Sequence, residues 1–92
     1  PHPCDMQPYP GTYRWQNGTE DDEWVIKYDE TKKCLFTSLF WPYMPMRCVA
    51  EGVFELISFP VELRFRQNER GLQFEVRGNY DWDLNGQVFT RV

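Results

Sequence analysis

The chain has 92 residues, a formal net charge of −4 and a sequence pI near 4.9. Seven Arg and three Lys alternate with fourteen acids and form no run, so the basic footprint that nucleic acid and anionic membranes require is missing. Thirteen residues, Cys34 to Met46, make the longest uncharged stretch, and it holds two prolines. A membrane-spanning helix needs about 20 apolar residues, so membrane insertion is not expected. Sixteen aromatic residues supply the apolar bulk for one core in one domain.

In chain order, residues 1–10 contain four of the seven prolines and read as an irregular lead-in. Its opening, Pro1-His2-Pro3-Cys4, has no initiator Met or apolar signal region and reads as a processed mature end or an expression boundary. Residues 11–92 read as a single all-β domain, because β-branched and aromatic residues alternate with polar ones and only one Ala is present. The first strand is predicted at 11–16, with Tyr13 and Trp15 on one face. The second is predicted at 24–29, with Trp24, Ile26 and Tyr28 facing one way. The third runs 34–41 and the fourth 47–57, bent at Gly52.

The strand at 61–67 and the one after it form a hairpin whose register can be read. A loop over Asn68-Glu69-Arg70-Gly71 places Gln67 opposite Leu72, Phe65 opposite Phe74 and Leu63 opposite Val76. Arg64 then faces Glu75 and Glu62 faces Arg77, so the outer pairs are complementary. A tighter two-residue loop would set Glu62 against Glu75, so the four-residue loop is expected. Asn85-Gly86 signals a final hairpin that pairs Trp82 with Phe89, Tyr80 with Arg91 and Asp83 with Val88. The sum is an antiparallel meander of seven or eight short strands, closed as a barrel or layered as a sandwich.

Candidate chemistry is sparse. The only His is His2 and no CxxC is present, so a zinc site is not expected. Ser38 and Ser58 have no His within a folded segment to act as base. Asp81-Trp82-Asp83-Leu84-Asn85-Gly86 matches the first half of a calcium loop, but position twelve is Val92 and the same residues suit a turn. The acidic run Glu20 to Glu23 reads as a solvated loop. No catalytic constellation, cofactor or metal is therefore expected.

Three cysteines in a small domain, with the sequon Asn17-Gly18-Thr19, favour an oxidising compartment: a secreted or luminal glycoprotein. A Cys34–Cys48 disulfide is expected, leaving Cys4 free or bonded to a partner chain; Cys4 paired with Cys34 or Cys48 is the competing arrangement. The segment 39–46, Leu-Phe-Trp-Pro-Tyr-Met-Pro-Met, is eight apolar residues interrupted by prolines that oppose regular pairing. Phe40, Trp41, Tyr43, Met44 and Met46 are the residue types enriched at interface cores, so they are the candidate contacts for another protein. The opposing expectation is that the segment folds over the barrel end and plugs the core.

Gly11-Thr12-Tyr13-Arg14-Trp15 on the first strand, with Arg91 on the last, is similar to the calycin barrels (lipocalins, avidins and small bacterial protease inhibitors). There a first-strand Trp near a Gly packs against an Arg near the barrel's end. The spacing departs from the family's Gly-x-Trp. The resemblance implies a closed barrel, and as an alternative function a cavity for a small apolar ligand. The principal expectation is a protein-binding module acting through 39–46, as inhibitors and ectodomains do.

Overall fold

The structure, a computed structural model, describes residues 5–15, 23–38, 42–57, 59–78 and 85–92. Eight strands follow one another: β1 Gly11–Trp15, β2 Glu23–Asp29, β3 Cys34–Thr37, β4 Met44–Ala50, β5 Val53–Leu56, β6 Val61–Asn68, β7 Gly71–Gly78 and β8 Val88–Arg91. Each pairs antiparallel with the next, and β8 pairs with β1, closing the barrel. No helix occurs among the described residues.

Period-two alternation sends one side chain in and the next out. Trp24 and Ile26, Phe54 and Leu56, Val61 and Leu63, and Leu72, Phe74 and Val76 all point inward and are buried. A barrel of eight strands has an interior that side chains can fill. Phe74 sits at its centre: Trp24 meets it edge-on at 5.3 Å, Phe89 stacks on it at 5.2 Å, and Tyr13 and Phe65 lie 4.9 and 5.2 Å away.

The β6–β7 register matches the sequence-based one at all five stated pairs. The four-residue loop is corrected: an extra pair, Asn68 with Gly71, leaves a two-residue loop, Glu69-Arg70, in the same register, and Asn68 Oδ1 accepts a hydrogen bond from Arg70 N (2.8 Å). The outer charges pair differently, however. Arg64 bonds Glu62 and Arg77 bonds Glu75, two residues along the same strand, rather than across the hairpin. Residues i and i+2 share a face about 7 Å apart, within reach of long side chains.

Three boundaries are corrected. The strand expected at 47–57 is a hairpin, β4–β5, turned at Glu51-Gly52. Gly52 has φ +77°, and a Cβ there would lie 3.3 Å from the Phe65 carbonyl oxygen. The strand expected to run to 41 is β3 and ends at Thr37. The Asn85-Gly86 turn exists, but the partners expected for β8 at 80, 82 and 83 do not hold. Phe89 lies opposite Phe74 on β7 and Trp15 on β1; Val88 faces Glu75, and Arg91 faces Tyr13. Both edges of β8 are thereby occupied, and Phe89 stacks on Phe74 inside the barrel. Residues 79–84 lie outside the described residues.

The lead-in closes the end of the barrel where the β2–β3, β4–β5 and β6–β7 turns lie. Tyr9 is buried there, packed on Phe54 and Phe65 at 5.2 and 4.7 Å, and its carbonyl accepts the Tyr13 hydroxyl (2.6 Å). Arg91 donates to the Pro8 carbonyl (2.7 Å), and its stem lies so close to Gly11 that an added Cβ would sit 2.7 Å from Arg91 Cδ. The closure implied by the calycin resemblance is present, with a change of partner. Tyr13 faces Arg91, whereas Trp15 faces Phe89 and donates Nε1–H to Gln87 Oε1 (2.9 Å).

Candidate binding face

The β2–β3 turn is built on Asp29. Its Oδ1 accepts the backbone N–H groups of Thr31 and Lys32 at 2.9 and 3.1 Å, the side-chain-closed turn that Asp forms readily. Lys33 completes it at φ 55°. The other oxygen, Oδ2, accepts the Tyr43 hydroxyl at 2.7 Å, tying the turn to the approach of β4. The Tyr43 ring lies along the outer wall against Phe36 at 4.8 Å, with Lys32 Nζ 5.0 Å from its centroid and Cys34 Sγ 3.8 Å from its hydroxyl. The shared bond lowers the Asp29 pKa, chiefly because Tyr43 donates to the carboxylate. The same bond raises the Tyr43 pKa above its ordinary value, with partial burial and Cys34 adding to it.

Of the five residues expected to bind a partner, Tyr43 is half-buried and its hydroxyl is already used. Met44 and Met46 are corrected outright: both are core residues, 1% and 2% exposed. The segment containing Pro45 is a strand after all. Pro45 points outward opposite Phe36 and its carbonyl accepts Ile57 N–H, so alternation drives the flanking methionines inward. Phe40 and Trp41 lie outside the described residues, as do Cys4 and Asn17.

The Cys34–Cys48 disulfide is also corrected, because Cys34 carries a free thiol. Inward Leu35 and Thr37 alternate with outward Cys34 and Phe36, while Cys48 follows inward Met44 and Met46 and packs against the core. The Cys34 thiol lies instead 3.8 Å from the Tyr43 hydroxyl, and no bridge joins it to Cys48.

The face that the sequence did not signal surrounds Met6 of the lead-in. On one side a hollow of about 300 Å³ runs along the β3–β4 seam, lined by Met6, Lys33, Cys34, Met46, Cys48 and Ile57, with Arg47 beside them. On the other a hollow of about 490 Å³ is lined by Asp5, Met6, Gln7, Pro10, Tyr28 and Glu30. Ile57 is 63% exposed and Tyr28 39%. Tyr28 was expected inward with Trp24 and Ile26. It does lie opposite buried Leu35, but at the mouth of the barrel, where the wall ends and its ring emerges. Only the lead-in's position makes these residues one face, and no local pattern encodes that.

The class defined is thus an eight-stranded antiparallel meander closed as a barrel with a filled axis. In comparisons with family models, curated proteins and solved structures, nothing matches this chain.

Proposed function

We propose that this chain is a protein-recognition module of a secreted or luminal compartment, acting through the face around Met6, Tyr28 and Ile57. The observation carrying this reading is the exposed apolar surface there, Ile57 and Tyr28 on either side of Met6. Isolated exposed apolar residues need no explanation, but a contiguous set beside formed hollows marks interaction sites. The side chains of Tyr13, Trp24, Phe54 and Phe74 along the barrel axis favour an external surface over an internal apolar ligand. Phe40 and Trp41 extend the candidate contacts from the β3–β4 connection.

A photo-crosslinking residue at position 57 or 28 is expected to trap a partner from extracellular fluid, whereas one at Arg77, which lines neither hollow, is not. Crosslinks from 40 or 41 alone would move the face to the β3–β4 connection. Crosslinks from none of these positions would end the reading.

The oxidising compartment rests on the cysteines and the sequon. With Cys34 free, Cys4 and Cys48 are the pair left for a bridge. Met6 and Cys48 line one hollow, and two residues of chain span about 7 Å, enough to bring Cys4 to Cys48. Non-reducing peptide mapping of secreted protein is expected to show a Cys4–Cys48 crosslink, an alkylatable Cys34 and a glycan on Asn17. A chain-to-chain crosslink through Cys4 would replace the internal bridge with a covalent partner.

A further inference from the structure

We propose that the hollow between Met6 and Tyr28 takes an arginine or lysine side chain of the protein partner. This deepens the recognition reading above and rests on it. Two carboxylates from separate segments, Asp5 of the lead-in and Glu30 of the β2–β3 turn, line this hollow, and no Lys or Arg does. The next hollow, across Met6, holds no carboxylate: it is lined by Lys33 and by Arg47, which is ion-paired with Glu55.

The carboxylates here also differ from those paired along the barrel wall. On the barrel wall Glu23, Glu55, Glu62 and Glu75 are each neutralised by an arginine of the same chain. Asp5 and Glu30 make no ion pair among the described residues, and Asp5 uses one oxygen to cap Gln7 N–H (3.0 Å). The exposed Tyr28 ring lines the same hollow, with Met6 and Pro10. A guanidinium or ammonium placed there meets an aromatic face and charge-assisted hydrogen bonds, while its aliphatic stem covers the thioether and the proline. Lys33 in the seam hollow disfavours a second cation there, so the neighbouring partner residue is apolar and docks against Ile57. The net charge of −4 steers such a segment toward the barrel.

The test is an amide NMR titration with two probes, acetyl-Gly-Arg-Leu-Gly-amide and its Glu analogue. The Arg peptide is expected to shift Met6, Tyr28 and Glu30 and to bind about tenfold more tightly than the Glu peptide at low salt, the difference shrinking as salt screens it. An Asp5→Asn/Glu30→Gln double variant is expected to erase the difference while keeping the wild-type spectrum elsewhere, which shows that it is folded. Equal shifts by both peptides at these residues would overturn the basic-residue assignment and leave the recognition face standing. Absence of any shift from the Arg peptide, with crosslinking from position 57 intact, would overturn it as well. Loss of that crosslinking would instead strike the recognition reading itself.

Discussion

The β6–β7 hairpin and the β3–β4 flank are made from the same alternating pattern, yet they are held in different ways. The first is a ladder of eight pairs over two eight-residue strands, and its turn chemistry sets its register. The second shows only two pairs, Phe36 with Pro45 and Thr37 with Met44, and is secured from outside its own strands. Asp29 of the preceding turn holds Tyr43, and Met6 of the lead-in lies beside its seam. A long ladder is locally determined, whereas a short one takes its geometry from whatever packs against it.

The sharpest way to break this comparison is at the shared centre. Phe74→Ala on β7 is expected to cost about 3–5 kcal/mol, measured by chemical denaturation, because the ring supports Tyr13, Trp24, Phe65 and Phe89 together. A loss near the surface average would mean that the axis is not packed as described.

On the flank, Met44→Ala is expected to cost about 2–5 kcal/mol, whereas Ile57→Ser stays within about 0.5 kcal/mol. The reverse ranking would return the methionines to the surface and remove Ile57 from it.

The next effect is in alkali. Burial pushes the Tyr13 hydroxyl up to about 12, against an opposing pull from Arg91, while an unfolded Tyr titrates near 10. A folded-state pKa raised above the unfolded one contributes stability that is complete below pH 10 and lost as pH rises toward 12, on the order of 3 kcal/mol. Tyr13→Phe is expected to flatten that loss; an unchanged alkaline profile would assign it elsewhere.

The smallest effect belongs to the Asp29–Tyr43 bond. Asp29 titrates below its ordinary value when folded, so its contribution is present above the usual carboxylate range and fades as pH falls through the lowered value. Comparing acid melting curves of wild type and Tyr43→Phe measures it. The variant is expected to lose less stability on acidification, and parallel curves would show that the bond is not made in solution.

Much of the fold was legible because its signals were local. Trp24-Val25-Ile26 and Leu72 to Val76 alternate cleanly, and Gly71 marks its turn, so strand identity and one full register followed from neighbours a few residues apart. The last hairpin misled because Asn85-Gly86 specifies a turn without specifying what flanks it. Phe89 found its partner in Phe74, fifteen residues back along the chain, whereas the expected Trp82 is seven back. The methionines misled because two prolines argued for a loop, whereas an outward proline leaves inward neighbours free to pack.

Composition and period-two patterning thus determined an all-β, acidic domain with an aromatic core, since those properties depend on residue types and their immediate spacing. Which strands close the ring, which cysteine keeps its thiol and which apolar side chains reach solvent were decided only by the tertiary structure. Each depends on two segments distant in sequence meeting at one place: β8 between β1 and β7, Cys34 beside Tyr43, and the lead-in laid across the mouth of the barrel.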